Sequence, residues 1–311
     1  MTEMLSIHWN VDPVLIRIGA LSVRWYGLMF VAGFILGWYL FRWFFRREGV
    51  REELLDPLLL TLFLSTIIGA RLGHCIFYQP TYYFAPFVAM FGGTPDPAIA
   101  RYGMSNWGAF LEILMVWKGG LASHGGAIAI LLGMWWFASK YGKPNNFDYL
   151  WIMDRLVITV AFAGCFIRLG NLFNSEIYGD ATTLPWGIIF DRNHETVPKH
   201  PTQLYEALSY LILGLYLVLN YRNRLHKMWR GFLFGAFFIG CFGMRFIIEF
   251  IKEPQVEFEN TMALDMGQLL SIPFVIAGIC LVAWAYKKKI PAAICKPEPP
   301  KKSETHFAHP V

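Results

Sequence analysis

Phe166-Ile-Arg-Leu-Gly-Asn-Leu-Phe-Asn-Ser-Glu-Ile-Tyr-Gly179 is the stretch whose reading decides the fold. It follows an apolar run, Ile158-Thr-Val-Ala-Phe-Ala-Gly-Cys165, with the character of the second half of a membrane-spanning helix. Where that helix should be dry, the chain carries Arg168, then Asn171, Asn174 and Glu176. An ionised side chain at that depth costs roughly 2.5–3.5 kcal/mol on insertion scales, so it is rare and usually functional. If the helix continues, Arg168 and Asn171 share a face. One cation with amide donors behind it suits a phosphate-like anion. An arginine snorkelling from a helix end to the headgroups is the plainer alternative.

The rest of the chain has the same character. Of 311 residues, 56% are hydrophobic and only 16% charged, and apolar runs near membrane-spanning length recur throughout. The expected fold class is an all-α integral membrane protein with about seven transmembrane helices. The spans are read over 24–44, 57–77, 119–138, 150–169, 203–220, 231–251 and 267–286. The Met1–Leu21 segment lacks the pattern of a cleavable leader, so none is expected. Four of the five cysteines lie in apolar runs and read as small buried hydrophobes.

Basic residues gather on alternate links. Arg42, Arg46, Arg47 and Arg51 follow the first span, Lys140 and Lys143 the third, and Arg222, Arg224, Lys227 and Arg230 the fifth. The tail carries Lys287, Lys288 and Lys289, then Lys296, Lys301 and Lys302. The positive-inside rule then places the N-terminus outside and the C-terminus in the cytoplasm. Residues 1–286 read as one polytopic membrane domain with two long outer segments. Residues 80–118 are expected to lie along the bilayer surface, and 178–201 to form a small outer-face cap. Residues 287–311 read as a disordered basic tail on the cytoplasmic side.

More polar residues stand where the membrane resists them. In Gly240-Cys-Phe-Gly-Met-Arg-Phe-Ile-Ile-Glu-Phe250, Arg245 and Glu249 share a helix face and can pair. A structural ion pair is one reading; the other makes Arg245 and Arg168 a clamp for one phosphodiester near the outer leaflet. His124 lies in Gly119-Gly-Leu-Ala-Ser-His-Gly-Gly126, whose glycines let another backbone or a ligand approach. It is the candidate general base, against a plain hydrogen-bonding role. Trp25 and Tyr26 read either as an aromatic belt or, for Tyr26, as a headgroup contact. In Lys199-His-Pro-Thr-Gln-Leu-Tyr-Glu206, Pro201 and Thr202 are helix-start residues, and Tyr205 and Glu206 face inward polar partners. No metal-spaced His/Cys cluster, phosphate loop or nucleophile elbow occurs, so neither metal nor other cofactor is expected, and no nucleic acid. A serine protease dyad from Ser123 and His124 fails, because helix neighbours point about 100° apart.

Seven stretches in order resemble the prolipoprotein diacylglyceryl transferase family. They are Arg24-Trp-Tyr-Gly-Leu-Met29, Gly69-Ala-Arg-Leu-Gly73, Gly119–Gly126, Ile167–Glu176, His200–Glu206, Met244–Phe250 and Met266-Gly-Gln-Leu-Leu-Ser-Ile-Pro273. The resemblance implies an inner-membrane enzyme with its active site towards the outer leaflet. It would move the sn-1,2-diacylglyceryl group of phosphatidylglycerol to the lipobox cysteine of prelipoprotein signal peptides, releasing glycerol phosphate. Arg168 and Arg245 would hold the phosphate, Asn171 and Glu176 would orient Arg168, and Glu249 would hold Arg245. His124 would be the base and Tyr26 a headgroup or lipobox contact. Cys241 stands where the family usually has tyrosine, and Lys199 and Lys252 where arginine is common. The rival classes are a transporter lined by Arg and Glu, and a scaffold that only binds anionic lipid.

Overall fold

The computed structural model describes residues 7–19, 21–116, 119–253 and 264–294. Long helices dominate. They are α1 (Trp25–Glu48), α2 (Leu55–Phe77), α7 (Ser123–Tyr141), α8 (Tyr149–Phe173), α9 (Thr202–Arg224), α10 (Phe232–Glu249) and α11 (Met266–Lys288). Between α2 and α7 run four short ones: α3 (Pro80–Tyr83), α4 (Ala85–Met90), α5 (Pro97–Arg101) and α6 (Asn106–Leu111). Among the described residues, six helices are long and apolar enough to cross a membrane. The expected seventh, α7, is not among them, because Ser123, His124 and Lys140 sit at its ends.

α8 is the axis of the bundle. Every residue from Trp151 to Thr159 is buried, as expected of a helix surrounded on all sides. It packs against α1, α9, α10 and α7. Glycines allow two further close pairings. A Cβ on Gly125 of α7 would collide with the backbone of Gly69 and Gly73 on α2. A Cβ on Gly235 of α10 would lie 2.8 Å from the Gly278 carbonyl oxygen on α11, and one on Gly278 would lie 2.8 Å from that of Gly235.

One end of α8 holds a closed ion pair. Arg155 Nη2 lies 2.7 Å from both oxygens of Glu48, and neither residue has more than 6% of its surface exposed. Trp151 Nε1 and the Tyr221 hydroxyl also donate to Glu48, at 2.9 and 2.8 Å. Each lone pair and donor finds a partner, so a buried charge is tolerated here without a functional role. Arg155 also donates to the Ala292 carbonyl at 2.8 Å, and Ile294 N to Glu48 at 3.3 Å. This corrects the expectation for the start of the tail: 287–288 continue α11, and 290–294 fold back onto the bundle because buried polar groups require them. The rest of the tail, 295–311, lies outside the described residues.

Two further details differ from the sequence reading, and a third adds to it. α7 starts at Ser123 rather than at 119, because Gly119 and Gly120 adopt φ of 86° and 67°, outside the helical region. Four short strands accompany the helices. β1 (Ile7–Trp9) pairs in parallel with β4 (Ile188–Phe190), and β2 (Val14–Ile18) pairs antiparallel with β3 (Leu21–Arg24). Their three to five residues are too short to print a period-two pattern. The third concerns 80–118, whose last two residues are not described. Arg71 of α2, 3% exposed, anchors it by donating to the carbonyls of Glu112, Ile113, Gly119 and Gly120 at 2.6–3.3 Å. The segment has its own small core of Ala85, Ile99 and Ala109, and exposes Met90, Phe91, Trp107 and Leu114.

Candidate active site

A cavity of about 470 Å³ lies between α8, α10 and their neighbours. Along α8 its lining runs from Met153, Leu156 and Val157 to Arg168 and Asn171; along α10 it runs from Phe234, Phe237 and Phe238 to Arg245. Both helices therefore deliver apolar side chains at one end and an arginine at the other. Tyr26, Ser123, Tyr210 and Cys241 also line it. The shape is amphiphilic: a cationic end above a wall of Phe, Leu, Val and Met.

Glycines let the rings reach this end. A Cβ on Gly170 would come within 2.9 Å of the Tyr26 ring, and one on Gly164 within 3.0 Å of Tyr210. Tyr26 thus lies over the turn of α8 that carries Arg168 and Asn171. Trp25, beside it, stacks on Phe173 at 4.8 Å between ring centroids.

Arg168 is held by Asn171, Glu206 and Tyr210. Its Nη1 donates to Asn171 Oδ1 at 3.3 Å. Its Nε lies 2.8 Å from Glu206 Oε2 on α9, a fully buried carboxylate. Glu206 is the functional neighbour that sequence reasoning placed only as inward-facing. Glu176 acts at one remove: it accepts from Asn171 at 2.7 Å and from Asn174 at 3.2 Å.

The loop that presents Glu176 is strained and held. Ser175 and Ile177 have φ of 55° and 60°, uncommon for any side chain and costly for a β-branched one. Three consecutive carbonyls are each pinned by a side chain. Asn193 donates to Ser175 O at 2.7 Å, Gln203 to Glu176 O at 2.7 Å, and Thr202 to Ile177 O at 2.8 Å. Thr202 and Gln203 are both buried at the start of α9, so Thr202 does more than begin a helix. Tyr205 does not face the cavity; it meets Trp186 Nε1 at 2.8 Å and His200 at 3.2 Å.

Arg245 and Glu249 lie on one face of α10, but at 4.0 Å they form a loose pair. Arg245 Nε is buried without a hydrogen-bond partner among the described residues. Glu249 rests on Gly267, where a Cβ would overlap its carboxylate. Lys252, just beyond α10, reaches back to Glu249 at 3.4 Å and to Glu206 at 3.7 Å. Burial pushes its pKa down, against the pull of the two carboxylates. Lys199, farther out, pairs with Glu253 and lies 3.5 Å from Glu195. Burial opposes its charge, yet those carboxylates hold its pKa above the ordinary value.

His124 stands apart. It is exposed in the first turn of α7 and does not line the cavity, whereas Ser123 does. Among the described residues no group of three or more His, Cys, Asp or Glu has a metal-binding arrangement.

The family model for prolipoprotein diacylglyceryl transferase matches residues 13–284. A phosphatidylglycerol–prolipoprotein diacylglyceryl transferase of Tolumonas auensis is 44% identical over 283 residues, 91% of this chain and 99% of the relative. One of Bacteroides fragilis is 40% identical over 286 residues, covering 92% and 98%. One of Porphyromonas gingivalis is 40% identical over 304 residues, covering 93% and 98%. A family match across most of the chain, with relatives matched over nearly their whole length, establishes that this protein belongs to the prolipoprotein diacylglyceryl transferase family.

Proposed function

We propose that this enzyme transfers the sn-1,2-diacylglyceryl group of phosphatidylglycerol to the cysteine thiol of a prelipoprotein lipobox, the first step of lipoprotein maturation. The observation that carries this reading is the cavity with two arginines at one end and apolar walls below. Such a cavity complements a lipid whose headgroup is anionic and whose acyl chains run along the bundle. The thiolate attacks the glyceryl carbon next to the phosphate. A C–S bond forms, the C–O bond breaks, and glycerol phosphate leaves with the bonding electrons. Negative charge grows on the phosphate as that bond breaks, so Arg168 and Arg245 stabilise the transition state more than the bound lipid.

Asn171, Glu176 and Glu206 orient Arg168, and Glu249 orients Arg245. Tyr26 contacts the headgroup or the lipobox. His124, one residue from the cavity wall, is the base that takes the thiol proton from a peptide arriving at the rim. In this reading α7 is the seventh span, the N-terminus is outside and the C-terminus cytoplasmic. The arginine end then faces the outer leaflet of the bacterial inner membrane, where a translocating signal peptide presents its cysteine. The alternation of basic links supports that orientation. The test uses purified protein in vesicles with a lipobox peptide. Transfer should require phosphatidylglycerol and vanish when phosphatidylcholine replaces it; equal transfer from the zwitterionic lipid would contradict the arginine assignment.

A further inference from the structure

The two arginine–carboxylate pairs are not independent. Glu206 turns its oxygens to different cations: Oε2 lies 2.8 Å from Arg168 Nε, and Oε1 lies 3.7 Å from Lys252 Nζ. Glu249 Oε2 lies 3.4 Å from the same Lys252 Nζ and 4.0 Å from Arg245 Nε. The charges therefore alternate across three elements: Arg168 on α8, Glu206 on α9, Lys252 beyond α10, then Glu249 and Arg245 on α10. The Lys252 side chain is 3% exposed and that of Glu206 0%, so solvent screens the centre of this row little. Among the described residues neither Glu206 oxygen makes a well-aligned hydrogen bond, so charge is what holds the carboxylate between its two cations.

The position of Lys252 is fixed by backbone. Lys252 N donates to Glu249 O at 3.2 Å, and the residue forms a β-bridge to Gly179. A Cβ on Gly179 would collide with the carbonyl of Ile251, so only glycine permits the chain to close there. The same strand of loop carries Glu176, which ties the lysine to the loop that orients Asn171.

We propose that Lys252 is a positioning residue, the shared counter-cation that takes up part of the charge of Glu206 and Glu249 while each still holds its arginine, so that both guanidinium groups keep a positive field for phosphate. This rests on the reading of Arg168 and Arg245 as the phosphate clamp. Without the lysine, each carboxylate has one cation left, its arginine, and two neutralised pairs present little field to an anionic headgroup. The Lys252 side chain is buried behind the arginines, so it acts through them and its effect is expected on the lipid side of the reaction. The groups facing it are Glu206, Glu249, Arg168 and Arg245. Burial eases loss of its proton, whereas an arginine at the same place stays charged at any working pH.

The experiment compares full-length Lys252→Met and Lys252→Arg proteins with the unaltered enzyme in phosphatidylglycerol vesicles. The Met variant should lose at least about tenfold in kcat/KM for the lipid. Inhibition by added glycerol phosphate should weaken in parallel, while KM for the lipobox peptide stays within about twofold. The Arg variant should restore kcat/KM to within about threefold and carry activity to higher pH on the alkaline side. A Met variant with unchanged phosphate inhibition, or an Arg variant that fails to restore, overturns the proposal. If the Met variant does not fold, coincident alkaline limbs for Lys252→Arg and the unaltered enzyme overturn it alone. Arg168→Ala and Arg245→Ala run alongside: if these stay active the clamp itself is wrong, whereas inactive arginine variants beside a normal Lys252→Met reject only the lysine's role.

Discussion

Glu206 Oε2 lies 2.8 Å from Arg168 Nε, and the glutamate has no exposed surface. Breaking a buried pair by removing one partner costs about 3–5 kcal/mol, because the other charge is left uncompensated. Glu206→Gln keeps the shape and removes the charge. It is expected to lower kcat/KM by about ten- to a hundredfold while the protein still folds, since Arg168 loses its aim. Arg168→Ala should lose about a hundred- to a thousandfold, and Arg168→Lys should not restore it, because a lysine cannot meet Asn171, Glu206 and phosphate at once. Lipid-transfer rates, with thermal unfolding as the control for folding, check both.

Gly267 gives access to the second arginine without touching it. A methyl group there overlaps the Glu249 carboxylate, so Gly267→Ala must move Glu249, and with it the field around Arg245. The expected result is a loss of about tenfold or more in kcat/KM for phosphatidylglycerol with peptide KM unchanged. Equal loss on both substrates would mean that the start of α11 has shifted as a whole.

His124 is tested by pH. If it takes the thiol proton, His124→Gln should be most impaired near neutrality. The deficit should shrink as pH rises through about 8.5, where the peptide thiol ionises unaided. Rate ratios between variant and unaltered enzyme that stay constant from pH 6.5 to 9.5 would show that proton removal is not its role; the ratio is expected to move by about tenfold across that range.

At the other end of α8, Arg155 is buried against Glu48 and is expected to take no part in transfer. Arg155→Met should destabilise the protein by about 3–5 kcal/mol, leaving Glu48 buried and unpaired. Adding Glu48→Gln should recover part of that loss, because the orphaned charge is gone. Thermal unfolding in detergent measures both, and the folded fraction should keep the KM values of the unaltered enzyme.

Much of this site is local in sequence and so could be read from it. Arg168 with Asn171, and Arg245 with Glu249, share helix faces by spacing alone, and the apolar runs give the helices that carry them. Glu206 was legible only as an inward polar residue, because its pairing depends on how α9 packs on α8. Thr202 and Gln203 hold carbonyls of a loop from the far side of the 178–201 segment, and no period or spacing records that. The closed Glu48–Arg155 pair hid for the same reason: an arginine within a span looks alike whether it is satisfied or free. The start of α7 moved because two glycines took left-handed backbone, a choice that the residue type permits without dictating.

The most direct measurement follows one reaction from both sides. Purified protein, phosphatidylglycerol and a lipobox peptide are combined, and peptide mass and released glycerol phosphate are recorded together. One diacylglyceryl group gained per glycerol phosphate released, both abolished when the peptide cysteine is changed to serine, is the expected result. Folded, lipid-bound protein that releases no glycerol phosphate and leaves the peptide mass unchanged would contradict diacylglyceryl transfer as the function of this cavity.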